Sequence, residues 1–276
     1  MAQPRAIVQR PMRIVTSRRN PVVRMFRELA ESPDESGGRL VLDGAHLVRE
    51  ALAARVSLEQ VAVARSRLDS TTDEGTLARA IAREGVDVIA AADRVFEAIS
   101  PARSPSGIVA IARRTPATAA ALSSRPHPFL LAAVDVQDPG NVGSLIRTGE
   151  AGGVTGVFVC GRSANPFSWK ALRGSMGSSL RLPVVGGLAA DAVLACLTGA
   201  GLRTIAAVPR NGQDPDAIDW RGAVGLLLGG EGPGLPANLV SRCDARVTIP
   251  MAPAVESLNV AVAAAILVYT ARRQRP

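Results

Sequence analysis

Short apolar runs alternate with amphipathic stretches along most of the chain, the pattern of strands and helices packed in layers. From Ile14 the chain leads into a helical pattern beyond Pro21. Val22, Val23, Phe26 and Leu29 fall on one face, with Arg19, Arg24 and Arg27 mostly off it. Strands are predicted over 39–43, 61–64, 86–90 and 107–112, with helices from Gly44, over 72–84 and over 93–99. These make a small α/β layer domain over residues 13–112, preceded by a flexible arm, residues 1–12, without periodicity. Residues 113–128, dense in Pro, Ala, Ser and Thr, read as a linker. Over 129–276 the alternation resumes. Strands are predicted at 129–135, 154–160, 203–208, 223–229 and 245–249, helices at 141–151, 188–197 and 236–241, and a long apolar helix closes the chain. Apolar strands separated by helices predict a second α/β domain with a mostly parallel sheet.

Charge narrows the choice of partner. The 276 residues include 32 Lys and Arg against 24 Asp and Glu, a net charge of +8, and such a field draws polyanions. Every basic residue except Lys170 is arginine, which with the Ala content points to GC-rich coding. That bias selects Arg over Lys but does not create an excess over acids, so nucleic acid stays the favoured partner. Arg18, Arg19, Asn20, Arg24 and Arg27 are the candidates to meet phosphate in the front domain. Cys160, Cys196 and Cys243 are too far apart for a disulfide framework, and with only His46 and His127 besides, no metal site is expected. They read as buried small apolar side chains in a reducing cytoplasm. The longest apolar run, Val260 to Tyr269, is short of the ~20 residues of a membrane span. With no signal peptide read at the start, a soluble cytoplasmic protein is expected.

Parallel sheets bind ligands in the loops after their strands, and three such loops carry chemistry. Asp138-Pro139-Gly140-Asn141-Val142-Gly143 opens a helix that also bears Arg147. Taken singly, Asn141 reads first as a helix cap and Arg147 first as a surface ion pair, such as with Glu150. In Gly229-Gly230-Glu231-Gly232-Pro233-Gly234, four glycines let a ligand approach the backbone closely. Without Gly-Lys-Ser/Thr this is no phosphate loop, and it suits an adenine or ribose. The third stretch, Ile249-Pro250-Met251 through Glu256-Ser257-Leu258-Asn259-Val260, sets polar side chains at the head of the most apolar helix. They are costly there unless used; Ser257 is expected to cap the helix while Asn259 faces a ligand.

In this order and spacing the three segments resemble motifs 1, 2 and 3 of the SpoU family of RNA ribose 2′-O-methyltransferases, within the SPOUT class. Residues 129–276 carry the likeness strongly. The front, through Thr16-Ser17 to Pro21 and Leu40 to Leu52, more weakly resembles the L30e-like substrate-binding domain of many members. The resemblance implies a deep trefoil knot, S-adenosyl-L-methionine as cofactor, RNA as substrate with ribosomal RNA ahead of transfer RNA, and a homodimer. It carries the catalytic set over as Asn141, Arg147, Glu231, Ser257 and Asn259, with Arg147 also meeting RNA. The cofactor pocket is expected at Val208, Gly229, Gly230, Glu231, Ile249, Met251 and Leu258. Two positions depart from the family pattern: Pro253 stands where Gly is common, and Ala261 where Ser is frequent. Pro253 fixes φ and lacks an N–H, so the cofactor loop is expected to differ in shape. The alternative from another class is a non-catalytic RNA-binding protein with a degenerate second domain. A Rossmann reading fails because Asp135 is followed by Gln-Asp-Pro-Gly-Asn rather than Gly-x-Gly-x-x-Gly.

Overall fold

A computed structural model describes residues 12–68 and 71–275, so the arm expected over 1–12 lies, apart from Met12, outside the described residues. The chain divides into two compact units after Thr115. In the first, β1 (Arg13–Val15), α1 (Pro21–Glu31), β2 (Arg39–Asp43), α2 (Ala45–Ala53), β3 (Ser57–Ala64), α3 (Asp73–Arg83), β4 (Asp87–Ala91), α4 (Asp93–Ile99) and β5 (Ile108–Arg113) follow in order. They form a mixed sheet ordered β1-β4-β3-β5-β2, parallel from β1 to β3 and antiparallel from there on. Alternate strand residues sort to opposite faces. Val15, Val41, Ala62, Ile89, Val109 and Ile111 pack against α1 and α4, while α2 and α3 contact the strands through the other set.

Two elements differ from the sequence expectation. Ile14 and Val15 pair with Ala90 and Ala91 as an edge strand instead of leading into the helix. β3 starts at Ser57 because its polar residues find partners: Gln60 Nε2 donates to Asp87 Oδ2 at 2.6 Å, and Glu59 accepts from Arg39 and Arg113.

The second unit begins inside the expected linker. There α5 (Ala119–Ser123), capped by Thr118, buries Leu122 in the core, so one apolar anchor makes this stretch part of the fold. It continues through β6 (Phe129–Val134), α6 (Pro139–Ala151), β7 (Gly156–Cys160), α7 (Trp169–Ser175), α8 (Ser178–Arg181), β8 (Val184–Leu188) and α9 (Ala190–Gly199). Then come β9 (Arg203–Ala207), β10 (Val224–Gly229), α10 (Ala237–Val240), β11 (Ala245–Val247) and α11 (Val260–Gln274). The sheet order is β11-β9-β10-β6-β7-β8, and every pairing is parallel. β6 and β7 are buried throughout, which is why they read as continuous apolar runs. Leu122, Leu194, Leu197 and Leu239 cover one face, and α6 and α11 pack together on β6 and β10.

α6 starts at Pro139 rather than Asn141, since Asp138 is the cap and proline suits the first helical position. α9 starts later than expected because Leu188 still pairs with Cys160. Cys160 is buried, and that burial, with the charge of Asp135, pushes its thiol up to about 12. Cys196 and Cys243 are only half-buried, contrary to expectation, because they sit at the margin of the helical layer.

α7 lies tightly across α6. A Cβ on Gly143 would stand 2.4 Å from the Ala171 carbonyl oxygen and 2.8 Å from Gly174 backbone. Gly143→Ala is therefore expected to cost ~1–3 kcal/mol through overpacking, seen as a lower urea midpoint. An unchanged midpoint would show that the two helices separate freely.

Candidate functional site

Strand order explains why loops distant in sequence meet. β11, β9, β10 and β6 are parallel neighbours, so the loops after Val247, Ala207, Gly229 and Val134 leave one edge of the sheet. Asp135, the first residue past β6, has φ of +57°, a left-handed conformation that costs every residue but glycine something, aspartate less than most. It is held there by the Arg162 N–H, which donates to Asp135 Oδ1 at 2.7 Å. Gly230 lies directly against it. A Cβ at 230 would stand 1.9 Å from the Asp135 carbonyl oxygen, and the Gly230 N–H donates to the Val134 carbonyl at 2.8 Å.

That close approach delivers Glu231 to the loop before α6. Glu231 Oε2 accepts from the Gln137 N–H at 3.2 Å, and Oε1 accepts from Asn141 Nδ2. Asn141 Oδ1 in turn accepts from Asn259 Nδ2 at 3.0 Å. Asn259 Oδ1 accepts from the N–H groups of Ala261 at 2.9 Å and Val262 at 3.3 Å, capping α11. Two expectations change. Asn259, not Ser257, caps the last helix, because Ser257 stands two residues before the cap position. Asn141 is not a cap, because Asp138 Oδ1 already accepts the Asn141 N–H at 2.8 Å. Burial opposes ionisation of Glu231, but hydrogen bonds from its own backbone N–H, the Asn141 amide and the Gln137 N–H outweigh it. They hold the carboxyl below its ordinary value despite repulsion from Asp138.

Beside these groups lies a cavity of about 330 Å³, the size of a small-molecule site. Val208, Gly229, Gly230, Glu231, Ile249, Met251 and Leu258 all line it, and so do Ser257 and Asn259. Asn141 is not part of the wall and reaches it through its two partners. Arg147 is not part of the wall either. It is exposed on α6 and has no ion pair among the described residues; Glu150 is held instead by Arg181, through contacts of 2.7 and 2.9 Å.

Sequence reasoning missed Ala263 and Leu267, which line the cavity one and two turns past Asn259; helical spacing alone could have found them. It also missed Thr248, whose Oγ1 accepts from the Gly212 N–H at 2.8 Å and donates to the Val208 carbonyl at 3.0 Å. No local signal marks such a threonine. Pro253 is exposed, in a turn closed by the Val255 N–H on the Ala252 carbonyl at 2.9 Å. Proline's fixed φ suits that second turn position, and the residue lies outside the cavity wall.

In the first unit, Asn20 caps α1 through the Val22 N–H at 3.0 Å. Arg18 pairs with Glu97, Arg24 with Glu28 and Arg27 with Glu31, all exposed. Arg19 is exposed as well.

The SpoU rRNA Methylase family model matches residues 128–269, and an MRM3-like substrate binding domain matches residues 20–110. The chain belongs to the SpoU rRNA methylase family. An uncharacterized tRNA/rRNA methyltransferase of Synechocystis sp. is 33% identical to it, over 95% of this chain and 94% of its own. The Bacillus subtilis 23S rRNA (guanosine(2553)-2′-O)-methyltransferase RlmP is 30% identical, over 95% of this chain and 100% of its own. The crystal structure of an AdoMet-bound rRNA methyltransferase from Sinorhizobium meliloti matches with a TM-score of 0.81 at 27% identity, covering 95% of this chain and 98% of that one.

In this SpoU protein the Glu231 carboxyl is expected to titrate below its ordinary 4.5. Because the folded value is the lower one, the tie it makes is fully present above the ordinary value and is lost as pH falls through the folded value. Asn141→Ala removes one of the hydrogen bonds to the ionised form and should move the titration upward. Carboxyl-carbon NMR reads both; an unmoved midpoint in the variant would show that the amide does not hold the charge.

Proposed function

We propose that this SpoU protein transfers a methyl group from S-adenosylmethionine to a ribose 2′-hydroxyl of structured RNA, 23S ribosomal RNA ahead of transfer RNA. The observation that carries this reading is the meeting of three loops, through Glu231, Asn141 and Asn259, at a glycine-bordered cavity. The relatives support the rest: RlmP is named for 2′-O-methylation of 23S rRNA, and the S. meliloti enzyme binds AdoMet.

The wall suits an adenosyl group. Val208, Ile249 and Leu258 offer apolar surface to a base. Gly232 and Gly234, at φ of +96° and +69°, curl the loop and leave open space where side chains would stand. When bound, the cofactor would supply an electrophilic methyl on a positively charged sulfur. The protein then has to orient the hydroxyl and ease the loss of its proton. A guanidinium is a proton donor without an acceptor and a poor base, so the role of Arg147 is to stabilise the developing alkoxide. The tie through Asn141 holds the loop before α6, and with it the start of the helix that bears Arg147, against the cavity rim. Ser257 and Asn259 position substrate from the other side.

In the first unit, Arg18, Arg19, Arg24 and Arg27 grip RNA. Exposed ion pairs of the kind that Arg18, Arg24 and Arg27 make contribute little, so phosphates can replace the carboxylates. The reading includes the deep trefoil knot implied by the resemblance and action in the cytoplasm; among the described residues no helix is long and apolar enough to cross a membrane. It also includes a homodimer. Val262, Ile266 and Tyr269 form an apolar stripe along α11, each more than a third exposed in the single chain, and such a stripe is a contact surface.

Arg147→Ala should abolish transfer of labelled methyl to ribosomal RNA while leaving S-adenosylmethionine affinity, by calorimetry, nearly unchanged. Loss of both together would remove the role given to Arg147, and absence of cofactor binding in the unaltered protein would favour a non-catalytic RNA binder. Ile266→Asp should shift the mass by light scattering from dimer to monomer; a persisting dimer would exclude the α11 stripe as its interface.

A further inference from the structure

We infer that Trp169, flanked by Lys170 and Arg173, is a stacking platform for an unpaired nucleobase of the RNA. The inference takes RNA as ligand from the reading above and adds a site that reading does not use. Aromatic side chains are scarce, with 2 Trp, 1 Tyr and 5 Phe in the chain. All five Phe are buried, and so is Trp220. Tyr269 belongs to the apolar stripe of α11. Trp169 is half-buried and stands among basic groups. Lys170 Nζ lies 5.6 Å and Arg173 Cζ 5.9 Å from its ring centroid, both on exposed residues. They stand off further than Arg275 does from Phe129, at 4.9 Å, and the long exposed side chain of Lys170 can swing from the ring onto a phosphate.

The identity of residue 170 is the second observation. The chain uses arginine at every other basic position and lysine only here. A guanidinium is planar and stacks on aromatic faces, whereas an ammonium is a compact, strongly hydrated point charge. An Arg at 170 would add a second guanidinium, beside that of Arg173, to compete with a base for the indole; a Lys competes less and still offers a charge to the adjoining phosphate. This division of labour, ring to base and cation to backbone, is how unpaired strands are held.

The platform is also rigidly placed. Ser168 caps α7 by accepting the Ala171 N–H at 3.4 Å, and Phe167, Ala171 and Leu172 are buried on either side of Trp169. The glycine contact at Gly143 and Gly174 fixes α7 to α6, the helix carrying Asn141 and Arg147. A base held on Trp169 is therefore held on the element next to the proposed reaction centre.

The test is tryptophan fluorescence of the full chain titrated with an oligoadenylate of about a dozen residues and with a ribose-phosphate strand of the same length lacking bases. Trp220 being buried, quenching reports Trp169. Oligoadenylate should quench, the abasic strand should not, and Trp169→Phe should remove the quenching while keeping most of the affinity measured by anisotropy of labelled RNA. Trp169→Leu should weaken oligoadenylate binding roughly tenfold, the scale of one base stack. S-adenosylmethionine affinity should stay unchanged as the sign of an intact fold. Lys170→Arg should weaken binding although charge is conserved. Equal quenching by the abasic strand, or unaltered affinity in Trp169→Leu, overturns the platform. A protein that methylates RNA without any dependence on Trp169 refutes the platform alone; one that stacks RNA on Trp169 but transfers no methyl group refutes the methyltransferase reading alone.

Discussion

The ionised carboxylate of Glu231 can only accept hydrogen bonds, and this single restriction sets the direction of every polar contact at the cavity rim. Asn141 has to turn its NH2 toward Glu231, which leaves its oxygen for Asn259. Asn259 therefore spends its NH2 on Asn141 and has its own oxygen free for the N–H groups of Ala261 and Val262. Reversing any one amide would set donor against donor. The positive end of the α11 dipole favours the same order, since it prefers an oxygen at the cap. Residues 90 and 118 positions apart are thus oriented by one charge, and hydrogen bonds to that charge are the stronger kind.

Backbone geometry makes the charge available in that place. Six parallel strands bring the four relevant loops to one edge, but adjacency of strands alone does not bring Glu231 to Asn141. The contact needs the residue just past β10 to lack a side chain, because Gly230 rests on the Asp135 carbonyl. It also needs Asp135 in a left-handed conformation, stabilised by the Arg162 N–H on its carboxylate. Strain of this kind persists only where neighbours over-determine it. Here the neighbours include the Ser163 hydroxyl, which accepts from the Val136 N–H at 2.9 Å. The loop after β7, which does not line the cavity, is in this way a support for the loop before α6.

What could be read from sequence follows from how each feature is encoded. β6, β7 and β10 write uninterrupted apolar runs because both their faces are covered, and the glycines and prolines of the three loops mark turns unambiguously. β1 is too short to show a period, and the start of β3 is disguised by Glu59 and Gln60, whose partners are far away in sequence. The helix around Leu122 disappears into an Ala- and Ser-rich stretch because one leucine anchors it. At the site, the residue types were legible and the pairings were not. Whether Ser257 or Asn259 caps α11, or Asp138 or Asn141 caps α6, turns on a register of two or three residues that propensity does not resolve. Thr248 bonds two backbone groups across loops and leaves no local pattern at all.

The same accounting of partners bears on Arg147. Surface arginines in this protein are commonly committed: Arg13 to Asp87, Arg162 to Asp135, Arg221 to Asp219, Arg273 to Asp216. The carboxylate that spacing on α6 offers to Arg147 is Glu150, and there the competition is decided by geometry. Arg181 meets Glu150 with two parallel contacts, the fork arrangement that a guanidinium makes best. Burial resists ionisation of Glu150, yet the Arg181 and Ser178 hydrogen bonds and the Arg181 charge keep its carboxyl below the ordinary range. Glu150 therefore stays charged and engaged throughout neutral pH, and it does not recapture its neighbour. An exposed guanidinium without a carboxylate partner among the described residues, about one and two-thirds helix turns from Asn141, meets the condition that the proposed stabilisation of a developing alkoxide imposes.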